Sequence, residues 1–229
     1  MGFKKKIENR IIKLTKRLSR KGLYEFLEKK FSTIDPNSNV LIIGSNYGDK
    51  IYTLLEKFSK KLNFNVTSFD IDKKKNPDIL GDICVFDFRD QQFDCVIMSE
   101  VLEHIHSPHV ALKNIHTILK NGGKLIITTP FILPIHDSPY DYYRYTRYGL
   151  EYLLKEFRGL EIVERNSYFE TIDVLWVRLW QTNLKKAQRL CLLVVPIVYF
   201  LKQPISLILS KIIGDIDAAT TGYNVSCRK

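Results

Sequence analysis

Residues 40–50, Val-Leu-Ile-Ile-Gly-Ser-Asn-Tyr-Gly-Asp-Lys, constrain this chain more than any other stretch. Val40 to Ile43 form an apolar run without alternation. A strand of that kind is covered on both faces, as in parallel sheets flanked by helices. Gly44 ends the run and Gly48 opens a helical pattern, so the backbone there can approach a ligand with no Cβ in the way. Alone, such a loop also fits an ordinary strand-to-helix turn. The residues downstream decide between the two.

Short runs rich in branched apolar residues recur at 40–43, 66–69, 94–98 and 124–128. Helical patterns fill about 48–62 and 108–120. The second helix is punctuated by Ser107 as N-cap, Pro108 in the first turn, and Asn121-Gly122-Gly123 at its end. Thr146 caps a further helix over 146–157, "LEIVERNSYF" at 160–169 predicts another strand, and "TGYNVSCRK" alternates as a final strand should. This order predicts an α/β fold, a parallel sheet with helices on both faces. Asp70 ends the second strand, where open α/β sheets place a carboxylate for a ribose hydroxyl pair. Asp82, in "GDICVF", comes next as an acceptor for an exocyclic amine. Each acid alone also fits a solvated loop end; their order after successive strands favours the ligand reading.

The segments "VLIIGSNYG", "SFDID", "LGDI", "FDCVIMSEVLEHI", "ILKNGGKLIITTP" and "HDSPYDYYRYTRYGL" together resemble class I S-adenosylmethionine-dependent methyltransferases of the small-molecule type. The likeness covers about residues 38–157. It implies a Rossmann-like sheet of seven strands, the last antiparallel, binding S-adenosylmethionine at the carboxyl ends of the first strands. By position, Gly44, Ser45 and Gly48 would line the methionine portion, Asp70 the ribose, and Asp82 and Ile83 the adenine. Ser99 and Glu100 would close the other side. The sequence departs from the family at Ile42, where an acid is usual, at Asn46, where glycine is usual, and at Asn121, where proline is usual. Those departures also fit a non-catalytic binding protein that keeps the fold. The tract from His136 to Gly149 resembles enzymes of surface-polysaccharide and glycolipid biosynthesis clusters, which implies a small or glycan- or lipid-linked acceptor.

Methyl transfer needs in-line positioning and exclusion of water, and a hydroxyl acceptor also needs a base. His136 lies beyond the fifth strand beside Asp137, among Tyr140, Tyr142, Tyr143, Arg144 and Tyr145. His136, His104 and Arg144 are the catalytic candidates. The competing reading makes Asp141 and Arg144 a structural ion pair with tyrosines packed around it. Glu103, His104, His106 and His109 fall within "EHIHSPH", but their spacing around a proline is not a metal motif, and no metal is expected.

Charge is uneven. Of the net +10, residues 1–30 contribute +8, from eleven Lys/Arg and three Glu. Ile7, Ile11, Leu14 and Leu18 place one apolar stripe on this basic helical arm. It fits docking on the domain or contact with an anionic membrane; nucleic acid is disfavoured, since "SEVLEH" stands where many enzymes that methylate base amines carry "NPPY"-like motifs. The domain proper is expected over 31–229, with an apolar helical insertion at about 176–218. Within it, residues 190–213 predict a helical hairpin broken at Lys202-Gln203-Pro204, each half too short to span a bilayer. That hairpin is a candidate surface for a partner subunit or for shallow lipid contact. Cys84, Cys95, Cys191 and Cys227 show no paired spacing and read as buried thiols of a reducing compartment. With no leader-like pattern, the expected address is cytoplasmic, with a peripheral place on a membrane as an option.

Overall fold

The computed structural model describes residues 18–20, 22–45, 48–182, 194–214 and 219–229. Asn46, most of the basic arm, Cys191 and the first part of the expected hairpin lie outside them. The elements are α1 (22–31), β1 (Asn39–Ile43), α2 (Lys50–Leu62), β2 (Asn65–Asp70), β3 (Ile79–Leu80), β4 (Phe93–Ser99), α3 (Pro108–Ile118) and β5 (Leu119–Pro130). They continue with α4 (Arg147–Leu153), β6 (Arg158–Glu164), α5 (Tyr168–Thr182), α6 (Gln203–Ile213) and β7 (Gly222–Arg228).

The seven strands form one sheet in the order β3-β2-β1-β4-β5-β7-β6. β1 lies parallel to β2 and to β4, and β4 parallel to β5. β7 runs the other way: Lys229 N–H bonds to the Gly123 carbonyl near one end of β5, and Phe131 N–H bonds to the Thr221 carbonyl at the other. Apolar residues of β1 and β4 explain the centre of the sheet, since Val40, Leu41, Ile42, Val96, Ile97 and Met98 are all buried. The chain order reverses between β1 and β4, and ligands of open α/β sheets bind outside the carboxyl ends at such a point.

The residues fall into two compact units. The larger holds Tyr24–Pro130, Ile135–Val163 and Tyr223–Lys229, and so almost the whole sheet. Its α1 buries Phe26, Leu27 and Phe31, and Phe31 packs edge-on against Phe58. α2 starts at Asp49, whose carboxylate accepts from Ile51 N–H, and ends at Asn63 in the left-handed conformation. Phe69, Phe86, Phe88 and Phe93 form a chain of ring contacts 4.8–6.1 Å apart under the loop that leaves β3. The glycine pair expected to end α3 lies instead within β5, since the helix already stops at Ile118 with Leu119 as its C-cap. Phe93 pairs with Leu119 but Cys95 with Lys124, so residues 120–123 bulge out of β5, with Gly122 at φ +75°.

The smaller unit comprises Met1–Leu23, Phe131–Pro134 and Glu164–Gly222. Leu18, Val174, Val177, Val195 and Val198 form its core. Two expectations are corrected here. The strand predicted at 160–169 stops at Glu164, and Tyr168 and Phe169 open α5, so the helical segment before β7 begins earlier than 176. The helix at Val194–Ile213 is also continuous for 20 residues, so by length and composition it is apolar enough to cross a membrane. Pro204 does not break it because a π turn at Val198–Lys202 precedes it, with Gln203 N–H bonded five residues back to the Val198 carbonyl. The wider turn relieves the clash that a proline ring makes with a regular helix. Lys202, one of the interrupting residues, pairs with the buried Asp173.

Phe69→Ala should cost ~3–5 kcal/mol, since it removes a fully buried ring with two aromatic neighbours. Urea unfolding monitored by circular dichroism measures this; a loss below ~1 kcal/mol would mean the cluster is not part of the cooperative core.

Candidate functional site

The loop after β1 is shaped by close approach. Gly44 has φ +76°, and a Cβ there would lie 2.3 Å from Val101 Cγ2, so the loops after β1 and β4 touch at a point only glycine fits. Its N–H bonds to the Phe69 carbonyl of β2. Gly48 also has positive φ, +87°, in open space. Ser45 between them is buried, and its Oγ has no hydrogen-bond partner among the described residues. A buried hydroxyl left in that state is costly unless a ligand meets it. Ile42, at the position where an acid would be usual, is fully buried and pairs with Ser68 and Ile97.

Asp70 ends β2 with a nearly buried carboxylate. It accepts from Asp72 N–H at 2.8 Å and from Lys75 Nζ at 3.0 Å. Asp82 sits in a turn of its own making, its Oδ1 taking the Cys84 N–H at 2.9 Å. Ile83 is buried, and the Asn114 side-chain amide holds the carbonyls of Ile83 and Cys84. After β4, Ser99 Oγ lies 2.7 Å from Thr128 Oγ1, which donates to Glu100 Oε1 at 3.1 Å. Glu100 occupies the left-handed region at φ +57°, a strained place for a side chain of its size. Gly44, Asp70 and Glu100 thus end or succeed neighbouring strands, and the fold brings them to one edge.

The second half of the site was only partly expected. Glu103 lies in the 3-10 turn Leu102–His104 and is fully buried. Its backbone carbonyl accepts from Tyr142 and Tyr143 N–H, which ties the tyrosine-rich segment to the turn after β4. Tyr145 OH bonds to the Leu102 carbonyl and Tyr143 OH to that of His106. The rings of His104 and His136 meet edge to face with centroids 4.9 Å apart. Glu103 Oε1 lies 3.7 Å from His104 Nε2 and 3.8 Å from His136 Nε2.

Behind them, Arg144 grips Asp141 with both guanidinium nitrogens, at 2.5 and 2.6 Å, and Asp141 in turn accepts His136 N–H. The charges respond to this packing. Burial pushes the Glu103 carboxyl up, against the pull of His136. His136 is raised, first by Glu103 and, despite burial, also by Asp141. Asp141 is held down at about 2, chiefly by Arg144. So the structure joins His136 and His104, while Arg144 forms the ion pair with Asp141 and reaches His136 from behind. Glu103 and Asp141 are the residues sequence reasoning underweighted. His106 and His109 are exposed and stand outside the cluster.

A family model described as a methyltransferase domain matches residues 3–187. The ubiquinone/menaquinone biosynthesis C-methyltransferase UbiE of Haemophilus ducreyi is 27% identical over 131 residues, 54% of this chain and 49% of that protein. Demethylmenaquinone methyltransferase of Renibacterium salmoninarum is 33% identical over 69 residues, 29% of each. The chain therefore spans about half the length, or less, of these relatives. In structure it is similar to phosphoethanolamine N-methyltransferase 2 of Haemonchus contortus in complex with S-adenosyl-L-methionine, with TM-score 0.54, 16% identity, and 92% of this chain and 52% of that one covered. A SAM dependent methyltransferase from Archaeoglobus fulgidus gives TM-score 0.55 and 14% identity over 92% and 95% of the two chains. The [4+2]-cyclase SpnF gives 0.52 and 14% over 89% and 79%. At these identities the structural likenesses establish the fold.

Gly44→Ala should destabilise the protein by ~1–3 kcal/mol through its backbone conformation and its clash with Val101. Adding Val101→Ala should recover part of the loss, because it removes the clash and leaves the positive φ. Thermal unfolding of the single and double variants measures both; strict additivity would mean that the two loops do not touch.

Proposed function

Because the chain belongs to the methyltransferase-domain family, we propose that it transfers a methyl group from S-adenosylmethionine to an oxygen of a small or glycan- or lipid-linked acceptor. The observation that carries this reading is the set of groups at one sheet edge: a cradle at Gly44 that a Cβ would fill, the buried Ser45 hydroxyl without a partner, and the buried Asp70 carboxylate. The first two suit the donor's methionine portion and the third its ribose. Gly48 joins the methionine side. Asp82 and Ile83 hold the adenine, and Ser99 and Glu100 the opposite wall, Ser99 through its backbone because its hydroxyl is taken by Thr128. When bound, S-adenosylmethionine supplies a sulfonium-activated methyl group whose bonding electrons stay on sulfur.

The chain's own work is then to orient, to exclude water and to handle one proton. Asp70 keeps its bond to Asp72 N–H and exchanges Lys75 for the ribose hydroxyls. Lys75 is half exposed, on a side chain long enough to swing toward solvent. The acceptor meets the exposed rings of Tyr140, Tyr142 and Tyr143, and its oxygen loses its proton at the cluster of Glu103, His104 and His136. Arg144 acts at one remove: it fixes Asp141, which fixes His136.

Calorimetry with S-adenosylhomocysteine tests the donor site. Micromolar binding is expected, weakened at least ~10-fold in Asp70→Asn, which keeps the shape and loses the charge-assisted bonds. No heat up to millimolar ligand would favour the alternative reading, a non-catalytic binding protein of the same fold, for which the buried Ile42 speaks.

The place of work is also suggested by an observation. Ile197, Phe200, Leu201, Ile205, Ile208 and Ile212 expose an apolar stripe along Val194–Ile213, while Val195, Val198 and Ser206 face inward. Together with the +8 charge of residues 1–30, this supports peripheral contact with an anionic membrane at its cytoplasmic face. Vesicle sedimentation should show binding that increases with anionic lipid. Deleting residues 1–17 should abolish that dependence, and equal pelleting on neutral and anionic vesicles would overturn the electrostatic part.

A further inference from the structure

Glu103 Oε1 is a buried carboxylate oxygen with no hydrogen-bond partner among the described residues, while Oε2 accepts from Thr129 Oγ1. Its nearest polar neighbours are the Nε2 atoms of His104 and His136, at 3.7 and 3.8 Å. The far nitrogens of both rings are engaged. His104 Nδ1 lies 2.9 Å from the Tyr140 carbonyl, which only accepts, so Nδ1 carries the proton there. His136 Nδ1 faces Asp141 Oδ2 at 3.4 Å, with Arg144 Nη2 at 3.5 Å.

In the tautomer in which His136 Nδ1–H also points to its neighbour Asp141, two imidazole lone pairs and a carboxylate oxygen converge on one point. Three acceptors so arranged repel one another unless a cation lies among them. A shared proton would draw one nitrogen to ~2.7–2.9 Å from the oxygen, and both distances are longer. The gap instead suits an ion with bonds of ~2.0–2.2 Å. All three atoms lie within 4.8 Å of one another.

We propose that Glu103 Oε1, His104 Nε2 and His136 Nε2 bind one divalent transition-metal ion that accepts mixed nitrogen and oxygen ligands, such as Zn2+, Co2+ or Mn2+. Tyr140 and Asp141 are the outer partners that orient the two rings, the arrangement that metal-binding histidines usually show. Both histidines are partly exposed, so open coordination positions face solvent. No metal spacing stands in the sequence, because the third ligand comes from the loop beyond β5 and meets the Glu103-His104 pair only in the fold.

This site deepens the proposed methyl transfer and rests on it for its purpose. Bound there, the ion would relieve the cluster of its part as direct proton acceptor: it would polarise the acceptor hydroxyl, whose proton would pass to water as the oxygen–carbon bond forms and the carbon–sulfur bond breaks.

Full-length protein, stripped with a chelator and titrated with Co2+ alone, tests the site. One ion should bind per chain, with visible absorption and a rise in the thermal midpoint. His104→Ala and His136→Ala should each weaken the affinity at least ~10-fold, and His136→Gln should do the same with nearly conserved volume. Circular dichroism of each variant separates loss of the site from loss of the fold. No saturable binding below millimolar Co2+, or unchanged affinity in folded histidine variants, would overturn the proposal. S-adenosylhomocysteine calorimetry on the same chelated protein keeps the two readings apart: donor binding without Co2+ binding sinks the metal alone, and Co2+ binding without donor binding sinks methyl transfer alone.

Discussion

The burial of Glu103 is the constraint around which the rest of the site is arranged. A carboxylate with no exposed surface must be matched on every side. This one is matched by backbone as well as by side chains. Its carbonyl receives two amides of the tyrosine segment, its Oε2 receives Thr129 from β5, and its Oε1 faces the two histidines. The turn after β4 and the loop beyond β5 are therefore fastened to each other chiefly at this residue, with Tyr143 and Tyr145 adding bonds to the carbonyls of His106 and Leu102. Neither loop has much regular structure of its own, so these bonds together fix His136 relative to His104.

The edge formed by β1, β2 and β4 is organised differently. Its parts are not fastened to one another but delivered separately by strands that end at the same height. β1, β2 and β4 are neighbours with unbroken parallel registers, so Gly44, Asp70 and Glu100 need no contacts among themselves to be placed. The close approach of Gly44 to Val101 sets how near the two central loops come. Rigid delivery of this kind leaves the placement of Gly44, Asp70 and Glu100 independent of the loop residues between them.

This difference decides what the sequence reveals. Val40–Ile43 and Cys95–Met98 are legible as central strands because doubly covered strands need continuous apolar runs, and the residues just past them inherit their positions. Two-residue β3 is too short to leave a pattern. The continuation through Pro204 is not legible either, since a proline reads as a break unless the preceding turn widens, and that widening belongs to the helix as a whole. Arg144 and Asp141, three residues apart, were a readable local pair. Glu103 and His136 were not, because the loop that joins them is closed by hydrogen bonds to carbonyls, and carbonyls have no signature in a sequence.

The link between Lys75 and Asp70 carries a further consequence. A buried carboxylate needs a cation or hydrogen-bond donors close by. Lys75 supplies that cation from a three-residue 3-10 turn, on a side chain long and exposed enough to leave. If the proposed donor site is right, entry of a sugar hydroxyl pair at Asp70 would be an exchange of partners with Lys75. Occupancy of the site would then be readable from outside, as a change in the reactivity of a half-exposed amine.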